Sequence, residues 1–111
     1  MANISLKVRA TKEAEEKIYE AEGYDLLMGT VEDFIDIIDL DKINDNVEVA
    51  KMVVKGIDQI RPLVKDVFPE LTDEEFRRVS VNDLIQTIIE IGRSVLENLN
   101  VLASSKNSVR A

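Results

Sequence analysis

Residues 64 to 102 read VKDVFPELTDEEFRRVSVNDLIQTIIEIGRSVLENLNVL, and this stretch decides the fold. In its second half, apolar residues recur at steps of three and four, which places them on one stripe of an α-helix. We therefore predict a long helix from about Val81 to Leu102, with Ser80 as its cap and Asp83 completing a capping box. The stripe consists of Leu84, Ile88, Ile91, Val95, Leu99 and Leu102, and is widened on one side by Ile85, Ile89 and Leu96.

An apolar stripe of this width has two interpretations. Either it is entirely the core-facing side of a helical domain, or part of it is left uncovered for a partner chain. Gly92 lies in the middle of the helix, where it costs about 1 kcal/mol relative to Ala but allows another helix to approach closely. On the second interpretation, we expect the partner-binding residues to be Ile85, Ile89, Leu96, Leu99 and Leu102.

A short helix is predicted just before the long one. Pro69 ends the preceding helix, because proline lacks a backbone N–H. Thr72 and Glu75 have the spacing of a capping box, and acidic residues in the first turn suit the positive end of the helix dipole. These signals predict a helix over residues 73 to 79, with Leu71 and Phe76 turned toward the core.

Three earlier segments combine a cap or turn residue with helical apolar spacing. They cover residues 12 to 22, 31 to 40 and 47 to 60. Thr11 is the predicted cap of the first helix, and Thr30 with Asp33 forms the predicted capping box of the second. Pro62 either kinks the third helix or starts a new one.

Residues 2 to 10 differ from the rest because apolar and polar side chains alternate there, which is typical of a half-buried strand. No second strand is predicted in the chain, so we expect a loose arm or an edge that pairs with another copy. The expected fold is thus all-α, a small bundle of four to five helices with at most one N-terminal extended strand or arm. The expected organisation is an extended arm (1–10), a single helical domain (11–102) and a flexible tail (103–111).

The composition excludes several classes of function. The chain has 111 residues and a net charge of −8, which disfavours nucleic acids and anionic membranes as partners. It has neither Cys nor His, which removes disulfides, thiolate metal sites and the commonest general base. We expect a soluble, cytoplasmic protein, because no apolar run approaches a membrane span and the N-terminus lacks the apolar core of a signal peptide.

The acidic cluster between Glu32 and Glu48 invites a calcium interpretation, which the spacing rejects. An EF-hand loop starting at Asp39 needs an oxygen ligand at position 43 and glycine at position 44, where the chain has Ile43 and Asn44. The four glycines are isolated, so no phosphate-binding loop is present. We predict no catalytic, cofactor-binding or metal-binding residues, and expect that the protein is not an enzyme.

Residues 64 to 91 also carry three short motifs in close succession: Val67-Phe68-Pro69-Glu70-Leu71, Thr72-Asp73-Glu74-Glu75-Phe76 and Val81-Asn82-Asp83-Leu84. With these motifs, the segment resembles the C-terminal part of the small tail assembly chaperones of long-tailed bacteriophages and prophages. The resemblance implies a non-enzymatic protein in the bacterial host cytoplasm. Such a protein coats or solubilises the long, helical tape measure protein until tail tube subunits polymerise around it.

Two other hypotheses stay open. The chain is alternatively an acidic helical protein–protein interaction module, such as a regulator subunit, or a small structural protein of a virion or another assembly. In each case we expect the partner to be the tape measure protein or another helical protein. Self-association into a homo-oligomer is also expected, because an uncovered apolar stripe attracts further copies of the same chain.

Overall fold

The computed structural model describes residues 3–23 and 26–110, and the side chains of 3–23 and 26–99. Within these ranges the chain forms two strands, five α-helices and one 3₁₀ turn (Leu40–Lys42). The molecule is mainly helical, as predicted, but it is not all-α. The elements are β1 (Asn3–Val8), β2 (Lys17–Glu22), α1 (Met28–Ile37), α2 (Asn46–Lys55), α3 (Ile57–Val67), α4 (Asp73–Phe76) and α5 (Val81–Arg110).

The two strands form one antiparallel sheet. The alternating side chains of β1 are fully buried on one face, at Ile4, Leu6 and Val8. On the same face, β2 places Tyr19 opposite Leu6 and Ala21 opposite Ile4. The predicted strand is therefore confirmed, but it pairs within its own chain and is not an unpaired arm.

The helix predicted over residues 12 to 22 is wrong, because the second half of this segment is β2 and the first half belongs to the connecting loop. Thr11 does act as a cap, although only of a turn. Its Oγ1 accepts hydrogen bonds from the backbone N–H groups of Glu13 (3.2 Å) and Ala14 (3.0 Å). The apolar face of β1 needs a second strand beside it, and this tertiary requirement overrides the helical propensity of the segment.

The capping box predicted at Thr30 is not formed. Helix α1 begins three residues earlier than predicted, with the backbone N–H of Val31 donating to the carbonyl oxygen of Leu27 at 3.0 Å. Thr30 lies inside the first turn and is buried. The next helix, α2, is capped by Asp45, whose side chain accepts from the N–H groups of Val47 and Glu48.

The break between α2 and α3 falls at Gly56, not at Pro62. Gly56 has φ −105° and ψ 20°, outside the helical region, and it both ends α2 and precedes α3. A Cβ at this position would lie 3.2 Å from Cγ2 of Ile37, so the glycine lets the end of α1 pack closely there. Pro62 is accommodated inside α3, which ends at Val67 just before the predicted stop.

The capping box predicted at α4 is confirmed, whereas the one predicted at α5 forms only its Ser80 half, because the carboxylate of Asp83 accepts from Nε of Arg9. Thr72 and Glu75 form both hydrogen bonds of a capping box at the start of α4. The backbone N–H of Asp83 donates to Oγ of Ser80 at 3.1 Å at the start of α5. The backbone of α5 continues as a helix to Arg110, beyond the predicted end at Leu102.

One hydrophobic core joins the sheet to the helices. It combines the buried face of β1 with inward residues of all five helices, among them Phe34, Val53, Ile60, Phe76 and Ile88. Along α5 the core runs from Leu84 to Val95. Among the described side chains of α5, those of residues 96 to 99 are therefore the ones that the core does not fully cover.

Candidate functional site: distal α5 and the edge groove

The structure separates the five predicted partner-binding residues. Ile85 and Ile89 are only 8% and 4% exposed and belong to the core, whereas Leu99 is 38% exposed. Leu96 is half-buried against the core. The side chain of Leu102 lies outside the described residues. The five residues therefore do not form one continuous uncovered surface in this chain.

The first half of α5 is buried because β1 lies along one of its sides. The backbone N–H of Ser5 donates to Oε1 of Glu90 at 2.9 Å, and Oγ1 of Thr87 donates to the carbonyl oxygen of Ser5 at 2.6 Å. The alternation in residues 2 to 10 predicts a separate arm, which would leave this side of the helix without a cover. The width of the stripe reflects burial on two sides of α5.

The second cover of α5 is formed at Gly92. A Cβ built there would lie 2.5 Å from Cδ1 of Ile43 and 3.2 Å from Cζ of Phe34. Gly92 thus permits a close approach, as predicted. The groups that approach it are the side chains of Ile43 and Phe34.

Beyond Val95, the described side chains of α5 become more exposed, from half-buried at residues 96 to 98 to exposed at Leu99. We call residues 96–110 distal α5. Asn98 attaches its beginning to the sheet, since Nδ2 donates to the carbonyl oxygen of Gly23 at 3.1 Å. Leu99 is the last residue of the apolar stripe whose side chain is described, and more than a third of it is accessible. Within the described side chains, the apolar stripe of α5 therefore reaches past the core at Leu99.

A second surface lies between β2, the start of α1 and the end of α3. Two cavities of about 400 Å³ and about 290 Å³ adjoin there and share Glu20, Val67 and Pro69. We call this surface the edge groove, because it follows the side of β2 that is not paired with β1. Its other lining residues are Tyr19, Ala21, Glu22, Leu26, Leu27, Thr30, Asp66, Phe68 and Glu70.

A polar contact fixes β2 to α4 beside this groove. The hydroxyl of Tyr19 donates to Oε1 of Glu75 at 2.6 Å, while Nζ of Lys17 lies 3.6 Å from Oε2. The hydrogen bond from Tyr19 is the main reason that the pKa of Glu75 is lowered, with further donation from Thr72. The pKa of Lys17 is also raised, first by its own contact with Tyr19 and then by the negative charge of Glu75. This arrangement stabilises the fold through charge-assisted hydrogen bonds.

Among the residues that the structure describes, no group of three or more Asp, Glu, His or Cys side chains is placed to hold a metal ion. Within the same ranges, no helix combines the length and the apolar character needed to cross a membrane. The described surface features are the exposed Leu99 on α5 and the edge groove, of which the sequence predicts only the first.

Comparison of the chain with protein-family models, with curated proteins and with solved structures finds no match. The resemblance carried by residues 64 to 91 therefore stays a prediction. The edge groove was missed by sequence analysis, because β2 was predicted as a helix. The signal that could have found it is the alternation in KIYEAE, residues 17 to 22, where Tyr19 and Ala21 turn inward and Glu20 and Glu22 outward.

Proposed function

We propose that this protein is a non-enzymatic tail assembly chaperone, which binds the helical tape measure protein of a phage or prophage and keeps it soluble in the bacterial host cytoplasm. The observation that carries the proposal is distal α5, whose apolar stripe extends past the core at Leu99. A helix of this kind offers an apolar side on which a second helix can pack. The resemblance of residues 64 to 91 to tail assembly chaperones supplies the identity of the client.

The proposed contact is helix against helix. Leu96 and Leu99 would pack against apolar residues of the client, and Leu102 is the next position on the same stripe. Ile85 and Ile89 remain in the core and take no part in this contact. Binding along a long client then needs many copies of the chaperone, each covering a short apolar segment.

The charge of the chain suits this role. A net charge of −8 keeps a complex with a hydrophobic client soluble and makes bound copies repel further complexes. In the absence of client, the same stripe is available to a second copy of the chain. We therefore propose that distal α5 also mediates homo-oligomers, which dissociate or rearrange when the client binds.

The test is co-expression with the tape measure protein, which is expected to be the product of the nearest large gene downstream. The soluble fraction of that protein is compared with and without this chain. Rescue should be lost in Leu99→Glu, because a charge on the stripe disrupts apolar packing. The matched control is Val47→Glu, which makes the same kind of change at another exposed apolar residue, 64% accessible and located on α2.

Each outcome of this test has a meaning. Rescue by the natural chain and by Val47→Glu, but not by Leu99→Glu, supports the chaperone and its surface. Absence of rescue, with this protein monodisperse by itself, favours the acidic helical interaction module. Recovery of this protein from purified virions favours a structural component, because a chaperone leaves before the particle is complete. Circular dichroism of both variants establishes that they retain the helical fold.

A further inference from the structure

We infer that the edge groove binds an extended, basic peptide segment that adds a third strand beside β2. The inference concerns β2 and is independent of the proposed function, which concerns distal α5. It rests on three features of the described residues: unpaired backbone groups along β2, an apolar lining beside them, and a set of carboxylates without cations.

Every second residue of β2 directs its backbone N–H and C=O away from β1. Ser5 directs its N–H to Glu90 and accepts from Thr87 with its carbonyl oxygen, so both groups point away from β2. Ser5 lies opposite Glu20. Opposite residues in an antiparallel pair alternate between bonded and non-bonded pairs, so the N–H and C=O of Glu20 also point outward. By the same alternation, those of Ile18 and Glu22 do so too.

These outward groups have no other hydrogen-bond partner within the described part of the chain. An exposed strand edge of this kind is a template for a further strand, since every second residue offers one donor and one acceptor. The edge of β1 is closed at Ser5 by the side chains of Glu90 and Thr87. The edge of β2 is the open one.

The shape of the groove suits the side chains of such a strand. Residues of a strand point alternately to opposite faces of the sheet. On one face, a segment beside β2 would meet the apolar part of the groove, which includes Leu27, Val67 and Pro69. On the other face it would meet the row formed by Ile18, Glu20 and Glu22, which shares the exposed side of β2.

The charge of the groove selects the occupant. Glu20, Glu22 and Asp66 line the larger cavity and Glu70 lines the smaller one, with no Lys or Arg among the residues that line either cavity. None of these four carboxylates has an ion-pair partner in the ranges that the structure describes. In a segment that alternates Lys or Arg with apolar residues, the apolar side chains would pack in the groove and the cations would lie beside the carboxylates.

The same charges disfavour a second copy of this chain as the occupant. Pairing of two β2 edges would bring Glu20 and Glu22 of both copies together, and like charges on paired strands are destabilising. Lys17, the cation of β2, is already engaged with Glu75. A basic segment from another protein is therefore the better match.

The probe is a fluorescein-labelled peptide, KVKVKVK-amide, titrated with the full chain and followed by fluorescence anisotropy. We expect it to bind at least about tenfold more tightly than EVEVEVE-amide, a difference of about 1.4 kcal/mol. A KVKVKVK peptide that is N-methylated at every second residue should lose at least about tenfold in affinity, because it lacks the strand's donors. This comparison leaves the protein unchanged.

Protein variants then locate the site. Glu20→Pro removes the outward N–H, which an edge strand tolerates, and should weaken binding by at least about tenfold. Glu20→Gln keeps the N–H and removes the charge, so it should lose less affinity than Glu20→Pro. Its loss should be seen mainly at low salt, where charges are least screened. Glu32→Lys, at an exposed carboxylate of α1 outside the groove, is the control that should retain binding within about twofold.

Equal binding of the N-methylated and unmodified peptides, or of the acidic and basic peptides, would overturn the inference. So would full binding by a folded Glu20→Pro variant. A dimer in sedimentation equilibrium that Glu20→Pro abolishes would assign the edge to a second copy instead. Leu99→Glu should bind the peptide like the natural chain, which distinguishes failure of this inference from failure of the chaperone proposal.

Discussion

The backbone N–H of Ser5 donates a 2.9 Å hydrogen bond to the carboxylate of Glu90, 85 residues further along the chain. Thr87 lies one turn earlier on α5, and its hydroxyl donates to the carbonyl oxygen of Ser5 at 2.6 Å. Helix α5 thereby supplies, at Ser5, the two hydrogen bonds that a third strand would otherwise make there. This pair of contacts closes one edge of the sheet and leaves the other edge available.

Replacement of Thr87 by Val should destabilise the protein. The side chain keeps its shape, but the carbonyl oxygen of Ser5 loses its donor in a partly buried position, at a cost of about 1–3 kcal/mol. Urea denaturation followed by circular dichroism measures the change. Thr87→Ser retains the hydroxyl and should lose less. An equal loss in both variants would assign the effect to the methyl group and contradict the hydrogen-bond explanation.

Gly92→Ala and Gly29→Ala should change stability in opposite directions. Both glycines lie in helices, where Ala is favoured by up to about 1 kcal/mol. At Gly92 the new Cβ would lie 2.6 Å from Cγ1 of Ile43, whereas nothing lies within 4 Å of one at Gly29. Overpacking costs about 1–3 kcal/mol, so Gly92→Ala should lower the melting temperature. Stabilisation by Gly92→Ala would show that Ile43 moves aside freely.

Stability should fall in acid partly through Glu75. Its pKa in the folded protein lies below the ordinary value of a glutamate, chiefly because the Tyr19 hydroxyl donates to its carboxylate. A lowered folded pKa stabilises the protein above the unfolded pKa, and this contribution is lost as the pH falls through the lowered value. Tyr19→Phe should therefore be less stable than the natural chain at pH 7.

The difference in stability between Tyr19→Phe and the natural chain should narrow as Glu75 becomes protonated. The urea unfolding midpoints of both proteins at pH 7 and at about pH 3 measure this difference. The lower pH is chosen because the stabilisation by ionised Glu75 is lost below the ordinary carboxyl pKa. The pKa of Asp73 is also lowered, mainly by Lys65, but this contribution is common to both proteins. Parallel pH profiles would show that the contact does not contribute to acid stability.

The two halves of the α5 stripe should respond differently to truncation. Ile89→Ala removes a buried side chain and should cost about 2–5 kcal/mol in the free energy of unfolding. Leu99→Ala is at a partly exposed position and should cost less than about 1 kcal/mol. Equilibrium denaturation of both variants checks the contrast. A cost at Leu99 equal to that at Ile89 would place distal α5 within the fold and leave no surface for a client.

Much of the second half of the fold follows from local signals. The capping box of Thr72 and Glu75, the stop before Pro69 and the cap at Ser80 involve only neighbouring residues, so sequence spacing is sufficient to predict them. The buried stripe of α5 from Leu84 to Val95 is predicted for the same reason. Local hydrogen bonds and helical periodicity need no knowledge of distant partners.

The first half depends on distant partners and was predicted less well. Residues 12 to 22 are rich in Glu, Lys and Ala, which favour helices, yet 17 to 22 form a strand because Tyr19 and Ala21 cover β1. The helix break at Gly56 depends on close packing against Ile37. The edge groove brings together β2, α1 and α3, and no spacing along the chain indicates that assembly.

The contact between Ser5 and Glu90 also sets an order of events during protein synthesis. The apolar face of β1, with Ile4, Leu6 and Val8, emerges from the ribosome together with Ser5, 85 residues before Glu90 of the helix that covers it. At ordinary rates of translation this interval lasts about 4–17 s, long enough for an uncovered strand to meet other chains. The charged loop KEAEE, residues 12 to 16, emerges in between and places charge next to the apolar strand, as gatekeeper residues do beside aggregation-prone segments.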